Sequence, residues 1–380
     1  MITLLHIFSS FGIGGQSVRF ATVANQLGRR YRHMIVAMDG DFSCADRLTA
    51  DVDAEMIPLS VHKGRGLSSR NLLAFYQLLR ERHPDVLVTY NWGAIEWALV
   101  HRLRPMCRHV HFEDGFGPDE AGGTQVPRRV WTRRMALRGR TRTIVPSRSL
   151  ERIALGVWRL PPSQVRYVPN GIDCARFRPD VTRDPVLAGL GRDRSPLLVG
   201  TVGSLRPEKN YARLLRVIAQ MPTALDVVAV FVGDGPERST LEHLAQTLGI
   251  TSRVRFLGNH SKPEHLLPWF DLYALPSDTE QMPISVLEAM AAGLPVVGTD
   301  VGDVRDMLTP ANGPLLVSPN NEGAFAERLV ALADNVSARK RIGQENRVRV
   351  VELYSLKRMI AHHDDLYTGL LERPPKGERG

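Results

Sequence analysis

The chain has 380 residues, of which 43% are hydrophobic and 23% charged, with 32 glycines and 25 prolines. A length beyond what one hydrophobic core sustains predicts two domains of roughly 170 to 200 residues, and the ordinary composition excludes collagen-like, disordered and low-complexity classes. Net charge is +9, and residues 1–170 hold all of the excess, with 24 Lys+Arg against 14 Asp+Glu, where residues 171–380 hold 25 against 26; a basic first half either faces an anionic partner or is a solvated surface.

Residues 1–10 form a short apolar run without a basic flank or small-residue cleavage site, so they read as a first strand and not as a signal peptide. Residues 2–8, 33–38, 86–89, 108–112 and 143–145 read as strands, and 17–29, 71–82 and 92–103 carry helix-period apolar positions between them. That alternation predicts parallel strands with crossover helices. A turn-rich stretch at 168–195, with prolines at 169, 179, 185 and 196, suits an interdomain connection. The rhythm then resumes, with strands expected at 197–202, 227–232, 254–257, 272–274, 295–298 and 315–317 and helices at 211–220, 237–248, 284–292 and 322–334. Two doubly wound domains follow, with ligand sites expected beyond the carboxyl ends of the strands, facing each other across a cleft. Cys44, Cys107 and Cys174 are odd in number and widely spaced, which fits neither a disulfide framework nor a paired zinc motif and suggests a reducing compartment. Nowhere do about 18 apolar residues run uninterrupted, so no spanning helix is expected.

Four segments carry chemistry. Phe11-Gly12-Ile13-Gly14-Gly15-Gln16 joins the first strand to a helix, where glycines admit close backbone approach and a helix amino terminus offers unpaired N–H groups to an anion. Ser17 stands where a dinucleotide fingerprint needs its third glycine, and a tight structural turn is the competing reading. The strand at 197–202 runs into Gly203-Ser204-Leu205-Arg206-Pro207-Glu208-Lys209-Asn210. Arg206 and Lys209, three residues apart at a strand end, can flank one diphosphate, the first as a fork and the second as a point charge. Gly233-Asp234-Gly235-Pro236-Glu237 reads as a sharp strand-to-helix turn with Pro236 suited to the first helical position. In 276–304, Pro283 opens a helix and Gly293 ends it, which puts Glu280 in the preceding loop and Glu288 on the helix. Both can accept hydrogen bonds from a hydroxyl-rich ligand while the helix start faces phosphate.

Taken in order, Gly14-Gly15, Val168-Pro169-Asn170-Gly171-Ile172-Asp173, Arg206 with Lys209, and Glu280 with Glu288 eight residues on resemble the family-4 retaining glycosyltransferases of the GT-B fold, over nearly the whole chain. The resemblance implies an α/β architecture of two Rossmann-like domains: 1–175 on the acceptor side, 176–352 binding a nucleotide-sugar donor, and a helix at 353–371 packing back on the first. It implies that Arg206 and Lys209 hold the donor diphosphate, that Gly14 and Gly15 approach it, that Glu288 bonds the ribose, and that Glu280 stands at the donor sugar. Gly203, Gln281, Met282, Pro283 and Ile284 would line the donor. It implies no metal and no cofactor beyond the donor, a leaving phosphate that takes the acceptor's proton on the same face, and work in bacterial polysaccharide or glycolipid assembly at the cytoplasmic face of the membrane.

Two departures stand out. Gln281-Met282 replaces the family's usual Gly-Phe after the first glutamate, and the histidine expected after a first-domain strand has two counterparts, His111 and Asp114. His111 keeps the residue type, whereas the following glycine favours Asp114; a packed strand role for His111 is the alternative. Residues 127–142 hold Arg128, Arg129, Arg133, Arg134, Arg138, Arg140 and Arg142 with Val130, Trp131, Met135 and Leu137 between them. At helical spacing this suits a membrane-surface helix serving a lipid-linked acceptor, or a merely solvated basic face. Rival functions are a nucleotide-sugar epimerase of the same fold, an oxidoreductase suggested by Gly12–Gly15 and Asp39, and a nucleic-acid binder. The last lacks stacking aromatics around its arginines, so no nucleic-acid partner is expected.

Overall fold

The computed structural model describes residues 1–59, 61, 68–116, 120, 125–178, 181–182, 184–187, 190 and 196–372; the proline at 179 and the end of the turn-rich stretch at 191–195 lie outside the described residues. The chain divides into two compact units, one of Met1–Pro169 with the segment from Met359 onward, the other Asn170–Arg358.

The first unit is a parallel seven-stranded sheet. Its strands are β1 (Ile2–Phe8), β2 (Tyr31–Ala37), β3 (Asp53–Ile57), β4 (Val86–Tyr90), β5 (Arg108–Phe112), β6 (Thr141–Val145) and β7 (Val165–Tyr167), arranged β3-β2-β1-β4-β5-β6-β7. Helices α1 (Gly15–Leu27), α2 (Ser69–Arg82), α3 (Ile95–Leu103), α4 (Pro127–Leu137) and α5 (Arg148–Gly156) are the crossovers. Every residue of β4 is buried, as a parallel strand covered on both faces must be, which is why it opens on the apolar run Val86-Leu87-Val88. The strand order reverses between β1 and β4, and in such sheets ligands bind beyond the carboxyl ends at that point.

The second unit repeats the plan with β8 (Leu197–Val202), β9 (Val227–Val232), β10 (Val254–Gly258), β11 (Leu272–Leu275), β12 (Val296–Thr299) and β13 (Leu316–Val317), ordered β10-β9-β8-β11-β12-β13. All pairs are again parallel, and the reversal falls between β8 and β11. The helices are α6 (Tyr211–Gln220), α7 (Arg238–Thr247), α8 (Ile284–Ala291), α9 (Val304–Met307), α10 (Glu322–Ala333) and α11 (Val336–Leu353).

β3, β7, α5, α9 and α11 escaped the sequence reading. β3 and β7 are edge strands whose residues are mostly half-exposed, so neither shows as an apolar run. α11 buries only Ile342, Gly343, Asn346 and Val350 among its 18 residues. The helix expected at 92–103 opens instead with a 3-10 turn at Trp92–Ala94, and Pro236 falls in a turn two residues before α7. The last helix, α12 (Leu356–Glu372), starts three residues later than expected because the chain breaks helix at Tyr354 and Ser355. Its Asp364 accepts from Tyr31 Oη at 2.6 Å, and its His363 ring stacks on Phe112 at 5.5 Å. These contacts fix α12 on the sheet of the first unit.

That unit buries several histidines. His6 bonds Tyr90 Oη through Nδ1 and His33 through Nε2, each at 3.0 Å. Burial holds His33 and His363 down at about 4 and pushes His6 and His109 well below the ordinary histidine value. The unfolded chain takes up these protons near pH 6.5, whereas the folded chain resists them until about pH 4. The neutral rings' contribution is therefore intact above pH 6.5 and lost as pH falls toward 4, by roughly 3 kcal/mol for each such ring. Melting temperature followed by circular dichroism should drop steadily between pH 7 and pH 4.5; a flat profile there would contradict this account.

Candidate active site

The site in the second unit grows from the carboxyl ends of β8 and β11. After β8 the chain passes through Gly203 and Leu205, whose N–H donates to Asp234 O at 3.0 Å. A Cβ on Gly233 would stand 2.0 Å from Gly203 O, at a φ of +137°. The glycines of 233–235 therefore serve the close approach of two backbone loops. Arg206 is exposed beyond this junction. Pro207–Lys209 form one 3-10 turn, and Asn210, in the left-handed region at φ 42°, caps α6 by accepting from Arg213 N–H at 3.2 Å.

The loop after β11 closes onto this turn. Lys209 Nζ donates to Glu280 Oε1 at 2.7 Å, and Ser277 Oγ donates to the same oxygen at 2.7 Å. Asp278 accepts from Asn210 Nδ2 at 3.0 Å and from Arg213 Nη2 at 2.7 Å, and its N–H donates to Glu208 O at 2.9 Å. Lys209 and Glu280, read from the sequence as serving different parts of a ligand, thus meet each other first. Gly302, at φ +56°, lies so close that a Cβ would stand 2.2 Å from Glu280 O. Gln281 O accepts from Asp303 N–H at 3.0 Å, and Met282 is buried, receiving Asn170 N–H on its sulfur at 3.3 Å and Asn170 Nδ2 on its carbonyl at 3.1 Å. Asn170 is the centre of the Val-Pro-Asn-Gly-Ile-Asp segment, whose bearing on the site was not legible from the sequence. Pro283 caps α8, Ile284 is at its exposed start, and Glu288 lies one turn further on. Burial pushes the Glu288 carboxyl up to about 7, against the pull of Arg176 and with the push of Glu264.

In the first unit, Gly14, the N-cap of α1, and Gly15, its first residue, are exposed. A Cβ on Gly15 would meet nothing within 4 Å, and one on Gly14 only Ser17 Oγ at 3.9 Å, whereas one on Gly12 would stand 2.5 Å from Asp41 Oδ2. Of the three, only Gly12 has a close neighbour, the end of the exposed Asp41 side chain. Beyond β5 the two histidine counterparts part company. His111 is fully buried on the strand, its Nδ1 2.9 Å from Thr89 Oγ1. Its Nε2 is 3.6 Å from Glu113 Oε2, and Glu113 is fully buried as well. This enclosure matches the packed strand role named above as the alternative for His111. Asp114 is 18% exposed at the strand's end and accepts from Arg19 and Gln16. Neither partner was singled out by the sequence, since 95 and 98 positions separate them from Asp114.

The arginines of 127–142 also divide. Arg133 is fully buried, donating from Nε to Glu113 Oε2 at 3.1 Å and from Nη2 to Glu120 Oε2 at 3.3 Å, with the rings of Trp92, Phe116 and Trp158 at 5.1, 5.3 and 5.1 Å. It is withdrawn from the expected membrane face. Arg129 pairs with Glu120 at 3.3 Å and Arg134 Nε donates to Val157 O at 3.0 Å. Arg128, Arg138 and Arg140 are exposed, as are Trp131 at 62% and Met135 at 50%. No described helix is long and apolar enough to cross a membrane.

Residues 13–176 match the model of Glycosyltransferase Family 4, and residues 185–349 match that of Glycosyl transferases group 1. The chain is 25% identical, over 80% of both chains, to the UDP-Gal:alpha-D-GlcNAc-diphosphoundecaprenol alpha-1,3-galactosyltransferase of Escherichia coli. Its fold is similar to that of a sucrose-phosphate synthase from Thermosynechococcus elongatus, with a TM-score of 0.81, 20% identity and coverage of 98% of this chain and 99% of the other. A similar fold occurs in Anabaena HepE, solved in complex with UDP, with a TM-score of 0.77, 17% identity and coverage of 97% and 100%. The epimerase alternative gains no support from these relatives. Two doubly wound parallel sheets, each with its reversal point, and two family models in succession lead to one conclusion: the chain belongs to the family-4 glycosyltransferases and is a glycosyltransferase of GT-B fold.

Proposed function

We propose that this enzyme moves a sugar from a nucleoside-diphosphate donor, held by the Asn170–Arg358 unit, to a lipid-linked sugar acceptor on the bacterial cytoplasmic face, with retention of configuration. The observation that carries this reading is the preset cation site at the end of β8. Lys209 is held by Glu280 at 2.7 Å beside the exposed Arg206, at the reversal point of the sheet and in a loop tied to the start of α8. Such fixed charges stabilise the diphosphate as negative charge collects on it, because they need no reorientation at the moment of reaction. The bond from the anomeric carbon to the phosphate oxygen breaks, the acceptor oxygen bonds that carbon on the same face, and its proton passes to the departing phosphate. Arg206 and Lys209 supply the positive charge for this step, which supports a reaction without a metal or cofactor. Glu280 lies near enough to the cation pair to receive a donor-sugar hydroxyl, and Glu288 serves the ribose. The E. coli relative names an undecaprenol-linked acceptor, which supports one here.

Arg206→Ala should lower turnover by roughly 10² to 10³, as loss of one charge-stabilising donor does, with the melting temperature unchanged because the side chain is exposed. Unaltered turnover in a folded variant sinks the assignment.

Glu288 gives a pH signature. A carboxyl pushed up to about 7 accepts two ribose hydroxyls only above that pH. Titration calorimetry of a nucleoside diphosphate should show affinity weakening from pH 8 to pH 6 in the native enzyme. The Glu288→Gln variant should bind more weakly at pH 8 and vary less; equal pH dependence in both would reject the role.

The lipid-facing side of α4 is the exposed set Arg128, Trp131, Met135 and Arg138, without Arg133. Each basic residue near an anionic surface adds about 1 kcal/mol of attraction, screened over about 8 to 10 Å by ordinary salt. Sedimentation with phosphatidylglycerol vesicles should show salt-sensitive binding that drops in Arg128→Glu/Arg138→Glu and in Trp131→Ala. Indifference to such vesicles at low salt would make this face a solvated one.

A further inference from the structure

β8 and β11 separate before β8 ends. Their register stops at Gly200 opposite Tyr273, and Thr201 and Val202 run on past it. On the β9 side the ladder continues to Val202 opposite Val232. On the β11 side a side chain stands in for the strand: Tyr273 Oη accepts from Val202 N–H at 3.3 Å and donates to Val202 O at 3.2 Å. The Tyr273 ring is fully buried, in the apolar core that also holds Met282, Val286 and Leu287, so packing fixes where its hydroxyl stands. Burial raises that hydroxyl above the ordinary tyrosine value, against the hydrogen bonds of Ser285 and Val202 and together with the charges of Glu288 and Glu280. It therefore keeps its proton near neutral pH and can donate.

Ser285 is the second residue of α8, the helix that carries Glu288. One hydroxyl thus bonds the end of the strand that runs into the Gly203–Asn210 turn and the start of the helix beside it. From another direction Tyr211, buried at the start of α6, holds its Oη where it would be 2.7 Å from a Cβ on Gly203. A phenylalanine at 273 would pack the same ring but leave the Val202 N–H and C=O without this partner, and unmade backbone hydrogen bonds in an interior are costly. The hydroxyl's work is therefore at the end of β8. We propose that Tyr273 is a positioning residue for the donor diphosphate, its hydroxyl holding the end of β8 and with it the turn that carries Arg206 and Lys209. The inference rests on the glycosyl-transfer reading and adds the buried group that keeps its cations in place. Being fully buried, Tyr273 acts through the turn and not on the substrate itself. Arg206 and Lys209 act on charge that collects as the bond to the sugar breaks, so loosening their turn slows the chemical step more than it weakens the first binding of the donor.

The test compares Tyr273→Phe, Ser285→Ala, Thr309→Val, Arg206→Ala and the Tyr273→Phe/Arg206→Ala pair in the full chain, by release of nucleoside diphosphate from the nucleotide-sugar the native enzyme turns over. Tyr273→Phe should lower kcat about tenfold, the scale of one hydrogen bond, with KM for the nucleotide-sugar within about twofold of native. Ser285→Ala, which removes one partner of the same hydroxyl, should lower kcat about threefold at unchanged KM. Thr309→Val takes a buried hydroxyl from the same unit, one that donates to Asn346 Oδ1 at 3.1 Å. It should lower the melting temperature as Tyr273→Phe does and leave kcat as it is. Added to Arg206→Ala, Tyr273→Phe should slow turnover by a further threefold or about that at most, because both act through one turn. Native kcat in a folded Tyr273→Phe, a rise in KM in place of the fall in kcat, equal slowing by Thr309→Val, or a full tenfold added to Arg206→Ala would each overturn the positioning role while transfer itself stands. Should Tyr273→Phe not fold, native kcat in Ser285→Ala overturns it alone. A native enzyme silent toward every nucleotide-sugar would remove the transfer reading and this role together.

Discussion

The ion pair between Lys209 and Glu280, 2.7 Å long, joins two loops that leave neighbouring strands at the point where the second sheet reverses. Lys209 is 27% exposed and Glu280 only 8%, so the pair is partly withdrawn from water and each charge fixes the other more firmly than an open surface pair would. Around it the polar groups are arranged in depth. Asp278 receives Asn210 and Arg213, Ser277 shares the glutamate's oxygen, and Gly302 allows the next loop to lie against the Glu280 carbonyl. The cost of holding like and unlike charges at one strand end is offset by this mutual satisfaction, which leaves Arg206 as the exposed cation of the loop.

The first unit places charge differently. A fully buried guanidinium, Arg133, sits on Glu113 and Glu120 with three aromatic rings around it. An isolated charge in that setting would be untenable; two carboxylates and the negative faces of three rings make it tolerable. Removing one partner of such a buried group costs about 3 to 5 kcal/mol, so Arg133 belongs to the architecture of the segment after β5 and not to a basic surface. The same chemistry separates neighbours one residue apart. Trp131 looks outward and Thr132 is half-buried, while Arg133, at the next position of α4, points into the unit.

Histidine burial adds a second constraint to that unit. His6, His33, His109 and His363 are enclosed, and burial keeps their neutral forms. His111 shares their strand-and-core setting, held through Thr89, which also bonds His109. A histidine beside a strand end is thus no guide to a working imidazole here, and the polar group that reaches the edge of the sheet is Asp114 three residues later. α12 completes the arrangement by laying His363 and Tyr367 beside Arg19, so the last helix supports a side chain near the beginning of the chain.

Local rules made much of this molecule legible. Strands β1, β5, β8 and β9 and helix α6 have the bounds read from their apolar runs and periodicity, because a parallel strand buried on both faces and a one-sided helix each leave a pattern in consecutive residues. The segment carrying Glu280 and Glu288 was likewise readable, since a proline start, a glycine stop and an eight-residue spacing are all local. Edge strands β3 and β7 and the polar helix α11 left no such pattern, being half exposed. What only the tertiary structure decided is which side chains meet: Lys209 with Glu280 across 71 positions, Arg213 with Asp278 across 65, Arg19 with Asp114 across 95. Those pairs follow from the strand order, which sets β8 beside β11 and puts β1, β4 and β5 side by side. That order is fixed by the packing of whole helices on whole sheets, so no spacing along the sequence encodes it.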